Sequence, residues 1–396
     1  MSRAQITDQP REREESTHMD KEHNRVELDP PSSTQPVNET AAPPEQPEVR
    51  RADDGEVQDR IIELLEMVAG KADDYDTKLV RELITAALKL IPDGRDTGEL
   101  KLMTASMKEL RYAYRVFAQY PDSHKVTIFG SARTPEDHPD YRAAVDFSKI
   151  MAEAGWMSIT GAGDGIMKAG HEGPGREASF GVAIRLPFET TANEHIIGDE
   201  KLINFRYFFT RKLMFLSQCE AVVCFPGGFG TLDETFETLT LVQTGKASMV
   251  PIVFVDGDFD GEHGSYWEGW DRYVRQQLAD RGWISPEDFH LYHIAKDPQD
   301  AADHIFNFYK NYHSSRYVRD DLVIRIKHRL RDEDIATLND EFGILVKSGT
   351  IHQCDAYPQE RDHLSLPRIA FTHTRHKFGL VRSLIDRINS FDPADG

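Results

Sequence analysis

Cysteine is scarce in this chain: 396 residues contain only Cys219, Cys224 and Cys354. Their spacing forms no CxxC or other metal-ligand pattern, and an odd number gives no complete disulfide framework. They read as core thiols in a reducing compartment. Long apolar runs are also missing, none approaching the ~20 residues that a membrane-spanning helix needs. The opening MSRAQITDQPREREES lacks the apolar centre of a secretory signal, so the expected location is cytoplasmic. Basic charge is the third deficit. Lys and Arg number 47 against 67 Asp and Glu, a formal net charge of -20, which argues against a general affinity for nucleic acid or anionic membranes. Any anion must be gripped locally.

About a third of the acidic excess lies in the first 60 residues, where eight Lys and Arg face fifteen Asp and Glu. Residues 1–55 include PPSSTQPVNETAAPPEQPE and few large apolar side chains, so they cannot bury enough surface to offset ordering entropy and read as a disordered acidic tail. Residues 56–120 form a helical lead-in. VQDRIIELLEMVAG and TKLVRELITAALKLI place apolar residues three and four apart, Pro92-Asp93-Gly94 ends the second, and a further helix covers roughly 98–120. This lead-in is expected to pack on the main domain.

From residue 121 to 314 the period changes. Short apolar segments KVTIFGSAR, GWMSITGAGDGIM, SFGVAIRLP, EAVVCFP and VPIVFVD read as strands, separated by helical stretches. The run LINFRYFFTRKLMFLSQ carries helical spacing, and helices are expected over 141–154, 266–281 and 301–312. Alternating strands and helices imply an α/β domain with a parallel sheet covered on both faces. Residues 315–396 differ: DLVIRIKHRL, FGILVKSGTIHQC and LPRIAFTH read as strands and KFGLVRSLIDRINSF as an amphipathic helix, a small α+β appendage.

Three strands run into glycine. Gly130-Ser131, Gly161-Ala162-Gly163-Asp164-Gly165 and Gly227-Gly228-Phe229-Gly230-Thr231 all fall at the carboxyl edge of the expected sheet, where ligands of such sheets sit. Bare glycine lets backbone N–H groups close on an anion at a helix start, and a phosphate is the natural occupant. Tight strand–helix packing also uses glycine with no ligand. Neither GxxxxGK[ST] nor a full GxGxxG is present, which disfavours nucleoside triphosphates and dinucleotides. Glu234 has two readings. Thr231-Leu232-Asp233-Glu234 fits a capping box that would tie the glutamate into its own helix start. Against that stands the acidic load, since Asp233 and Glu237 repel each other four residues apart.

Pro226-Gly227-Gly228-Phe229-Gly230-Thr231-Leu232-Asp233-Glu234, with Arg211-Lys212 upstream and a GSA strand end before both, resembles the LOG family. That family was once misnamed lysine decarboxylases. It comprises phosphoribohydrolases that split nucleoside 5'-monophosphates into base and ribose 5-phosphate. The resemblance spans roughly residues 125–260 and implies a Rossmann-like doubly wound sheet. The tail, the lead-in helices and the C-terminal appendage lie outside it; a long form of this kind resembles the bacterial nucleotide 5'-monophosphate nucleosidases, which also carry flanking domains. By position it implies Glu234 and Arg211 as catalytic residues. Gly227, Gly228, Gly230 and Thr231 would be the phosphate cradle, with Gly130, Ser131, Gly163, Gly165 and Lys212 on the substrate side. The plainer role of Lys212 is a structural pair. Two departures stand out: Gly161-Ala162-Gly163 replaces the family's usual three glycines, and Phe208-Phe209-Thr210 replaces its common Met-His, both where base and ribose recognition is expected.

The resemblance further implies a homodimer or higher homo-oligomer, with the active site near a subunit interface, and no cofactor or metal for the hydrolysis. Lysine decarboxylation would need a pyridoxal phosphate site that the sequence does not display. The competing reading is a non-catalytic nucleotide sensor, or a carrier of a phosphorylated pterin cofactor on the same scaffold. A carrier needs the cradle but not the Glu234 and Arg211 pair. Of the remaining candidates, Asp164 reads as a helix cap, Trp267 and Trp270 as packing residues, and His373 and His376 as surface histidines with no third metal ligand nearby.

Overall fold

The computed structural model describes residues 50–71, 73–185, 192–257 and 265–393. Most of the tail expected to be disordered therefore lies outside the described residues. The chain divides into two compact units, with the boundary between Gly94 and Arg95. The first holds helices α1 (Gly55–Ala69) and α2 (Tyr75–Lys89). Asp74 caps α2 by accepting from the Asp76 and Thr77 amides, and Gln58 Nε2 ties the two helices by donating to Thr85 Oγ1 at 3.0 Å.

The second unit opens with α3 (Thr97–Phe117), capped by Asp96. It continues through β1 (Lys125–Phe129), α4 (Pro139–Glu153), β2 (Met157–Thr160), α5 (Ile166–Glu172), β3 (Ser179–Ile184), β4 (Leu202–Phe205) and α6 (Phe208–Ser217). Then come β5 (Ala221–Cys224), α7 (Phe229–Gln243), β6 (Ile252–Val255), α8 (Tyr266–Tyr273), β7 (Tyr292–Ala295) and α9 (Pro298–Phe308). The described strands form one parallel sheet in the order β4-β3-β2-β1-β5-β6-β7. The order reverses between β1 and β5, and the three glycine openings follow β2, β1 and β5, which are neighbours there.

Side chains alternate across the sheet and build a core on each face. Val126, Ile128, Val223 and Val253 pack with Phe147, Ile166 and Ile305 of α4, α5 and α9. Phe129, Ile159, Phe180, Val222 and Phe254 face the other way, onto Val116, Met214, Val242 and Trp267. Trp267 stacks on Phe254 at 4.3 Å between ring centroids, so Trp267 and Trp270 are packing residues as expected.

The appendage consists of β8 (Tyr312–Val318), β9 (Asp321–Ile326), α10 (Asp332–Phe342), β10 (Val346–Cys354), β11 (Arg368–His373) and α11 (Phe378–Ser390). Its antiparallel sheet runs β10-β11-β9-β8. Leu322, Ile324 and Ile326 join the same apolar core as the second face of the parallel sheet. His373 is buried, with Nδ1 2.6 Å from Tyr317 Oη and Nε2 3.1 Å from the His376 carbonyl.

Several local expectations are corrected. LINF is not helical: Leu202–Phe205 is the edge strand β4, in which Ile203 and Phe205 are buried while Asn204 is exposed. Four residues of strand alternation directly before a true helix are masked by its apolar spacing. β7, β8 and α10 were not anticipated. The helix expected to reach residue 312 ends at Phe308, and Tyr312 already begins β8. Among the described residues no helix is long and apolar enough to cross a membrane.

Candidate functional site

The glycine openings converge because their backbones are bonded to one another. Ser131 N–H donates to the Pro226 carbonyl at 3.1 Å, and the Ser131 carbonyl accepts from Ile166 N–H at 3.0 Å. One residue thus staples all three loops. Gly165, at φ 60°, is glycine by necessity, since a Cβ would strike the Ser131 carbonyl. It is also the N-cap of α5 with no side-chain bond, so Asp164, exposed, does not act as the expected cap.

α7 begins with unspent amides. Its N-cap is Gly228, without a side-chain cap, and the first turn closes with Leu232 N–H on the Gly228 carbonyl at 3.1 Å. Among the described residues no partner meets the amides of residues 228–231, so they carry the helix's positive end. Gly227 is glycine for packing, because a Cβ would run into Thr231 and lie 3.0 Å from Ser131 N. Gly228 and Gly230 are different. A Cβ on either would meet nothing within 4 Å, and neither has a positive φ. Gly228, as N-cap, is tolerated, whereas Gly230 in the first turn forfeits helix stability; what both leave here is open access to bare amides.

That access opens into a cavity of about 640 Å³. Gly130, Ser131, Gly161, Arg211, Gly228, Gly230, Thr231 and Glu234 all line it. Gly163, Gly165, Gly227 and Lys212 are not among its lining residues. Phe208, Phe229, Met167 and Arg133 also line it, the last two unheralded by any motif. The Arg133 signal was its place directly after the GSA strand end.

Glu234 is 8% exposed, and its Oε2 has no hydrogen-bond partner. The helix starts at Phe229, so Thr231 and Glu234 lie inside it rather than at a capping box. Burial pushes the Glu234 carboxyl up to about 7; the charges of Lys212 and Arg211 oppose that rise, and Glu237 and Asp233 reinforce it. Lys212 Nζ lies 2.8 Å from Asp233 Oδ2 and 2.5 Å from Glu237 Oε2, bridging the two acids that spacing alone would set repelling.

Contacts with β3 and with its own helix, and room left by the second glycine loop, help to aim Arg211. Its Nε donates to the Val182 carbonyl at 2.8 Å, its guanidinium lies 4.9 Å from the Phe215 ring centroid, and Gly161 leaves room for it where a Cβ would collide. The start of α6 is held from α3: Glu109 accepts from Arg206 N–H at 2.9 Å and from Thr210 Oγ1 at 2.8 Å. Thr210 is therefore buried against α3, and of the Phe208-Phe209-Thr210 departure only Phe208 reaches the cavity. Ala162 takes φ 64°, a left-handed conformation, and Asn193 secures this loop through Asn193 N–H to the Ala162 carbonyl (2.8 Å) and Nδ2 to the Gly163 carbonyl (3.0 Å).

Comparison with known proteins adds a sequence match. The family model described as "possible lysine decarboxylase" matches residues 161–305, a span that includes Arg211 and Glu234. No curated protein matches the chain. Among solved structures, the molybdenum cofactor binding protein of Rippkaea orientalis is 17% identical, with 47% of this chain and 97% of that one covered at a TM-score of 0.33. The molybdenum cofactor carrier protein of Chlamydomonas reinhardtii is 20% identical, with 46% and 96% covered at a TM-score of 0.33.

Proposed function

We propose that this chain, which carries a LOG-family domain over residues 161–305, hydrolyses the N-glycosidic bond of nucleoside 5'-monophosphates to free base and ribose 5-phosphate. One observation carries the reading: a buried carboxylate with one oxygen free of hydrogen bonds shares a cavity with the uncapped amides that open its own helix. The amides of residues 228–231 hold the phosphate, which places the ribose over the second turn of α7 and Glu234. As the bond from C1' to the base nitrogen breaks, positive charge develops on the sugar, and ionised Glu234 stabilises it. Glu234 also takes a proton from the water that adds to C1', and that proton leaves with the base or through solvent. Arg211 orients the phosphate or the carboxylate through its planar fork.

The exposed aromatic side chains at the mouth support two further roles. Phe229 is 93% exposed at the first helical position, and Phe208, Phe209 and Leu213 expose apolar surface on α6. Phe208 and Phe229 offer faces for the base. The rest of the patch suits pairing with a second copy of this chain.

A panel of nucleoside 5'-monophosphates, assayed for released base and ribose 5-phosphate, tests the proposal. Turnover that Glu234→Gln abolishes is the expected result. Binding without turnover, unchanged in that variant, would support a sensor or carrier instead.

A further inference from the structure

Phosphate binding by bare amides requires them to point the right way, and between two glycines nothing local ensures it. The peptide joining Gly227 and Gly228 has no Cβ on either side, so it can turn over at little steric expense. It is held from outside. The Gly227 carbonyl accepts a hydrogen bond from Tyr266 Oη at 2.7 Å. In a trans peptide the N–H points opposite to the C=O, and no described peptide is cis. Pinning that carbonyl behind the turn therefore turns the Gly228 N–H toward the cavity that Gly228 lines.

Tyr266 is itself well anchored. It is the first residue of α8, whose N-cap Ser265 bonds to Asp256 Oδ2 and accepts from Glu268 N–H at 3.0 Å. Asp256 Oδ2 also accepts from Trp267 N–H at 3.3 Å, and Trp267 is locked on Phe254. Burial raises the Tyr266 hydroxyl, which keeps it a donor.

We propose that Tyr266 is a positioning residue of the anion site: its hydroxyl sets the orientation of the peptide between Gly227 and Gly228 so that one more amide faces the substrate phosphate. Together with the bond from Ser131 N–H to the Pro226 carbonyl, it holds two successive carbonyls of the turn away from the anion. The inference rests on the phosphate-binding part of the proposed function, not on the hydrolysis.

Tyr266→Phe keeps the ring and removes only the hydroxyl. Calorimetry with AMP and with inorganic phosphate is expected to show affinity reduced about five- to tenfold, the worth of one hydrogen bond. The KM for the monophosphate is expected to rise in step while kcat stays within about twofold, because the carboxylate is untouched. A purely structural role would lower the melting temperature and leave both affinities alone. Phosphate and AMP affinities within twofold of the parent protein would overturn the proposal. If the chain proves to have no hydrolase activity, the binding measurement still decides the role of Tyr266. Should Tyr266→Phe prove less stable, its phosphate affinity is measured at a temperature where it remains folded, and an affinity there within twofold of the parent protein's would also overturn the proposal.

Discussion

Lys212 Nζ stands 3.9 Å from Glu234 Oε2, too far for a hydrogen bond and near enough for its charge to be felt. Its bonds go instead to Asp233 and Glu237. Lys212 thus moderates the carboxyl without occupying it. Replacing it with Met leaves Glu234 facing two unneutralised neighbours and raises its already elevated pKa. The midpoint of the acid limb of the pH–rate profile, expected near 7 for a reaction that needs ionised Glu234, moves to higher pH. An unmoved midpoint would show that Lys212 acts only in the fold.

Glu234→Gln separates chemistry from stability. The loss in kcat is expected to be about 10²- to 10⁴-fold. Stability moves the other way. The folded-state pKa of Glu234 is raised from 4.5 to about 7, so its protonated form is favoured by folding, and that contribution is complete below about 4.5 and lost as pH rises through 7. At pH 8 the parent protein buries an ionised carboxylate, and the amide variant is expected to be about 1–3 kcal/mol more stable in denaturant unfolding. Near pH 4 the difference closes.

Adjacent glycines should behave oppositely. A Cβ on Gly227 collides with Thr231 and the Ser131 amide, so Gly227→Ala is expected to lose roughly 1–3 kcal/mol of stability. A Cβ on Gly228 meets open space, so Gly228→Ala is expected to melt within a few degrees of the parent. Its methyl group instead enters the cavity, and KM should rise about tenfold or more. Thermal melts paired with steady-state kinetics check both.

Gly161→Ala tests how Arg211 is aimed. The added methyl collides with the guanidinium and with Met167 Sδ, both ends of long side chains that can move aside. The fold is therefore expected to survive while Arg211 is displaced, with kcat falling about 10- to 100-fold. Equal kcat in the variant would show that Arg211 needs no such room.

Ala162 is a non-glycine residue in left-handed backbone. Ala162→Gly relieves that conformation but frees the unfolded chain, so a gain of at most about 1 kcal/mol is expected from chemical denaturation.

Much of the architecture was written locally. Strand-length apolar segments ending in glycine, separated by helical periods, are enough to imply a parallel sheet with openings on one edge. Where the chain was misread, the cause was also local. Leu202–Phe205 is too short for its alternation to outweigh the helical spacing after it, and β8 carries Ser314, Ser315 and Arg316 in place of an apolar run. Tyr266 was invisible for another reason: its partner is the Gly227 carbonyl, and backbone atoms leave no mark on residue identity.

By itself the sequence settled where glycine interrupts the chain and which acids come next, because backbone freedom and helical spacing act between near neighbours. Whether Glu234 capped its own helix or faced a void was not decided there. That rested on the start of α7 at Phe229, on burial by distant parts of the chain and on Lys212 taking the flanking carboxylates. Burial and charge depend on what surrounds a group in space, so only the folded chain could leave that one oxygen without a hydrogen bond.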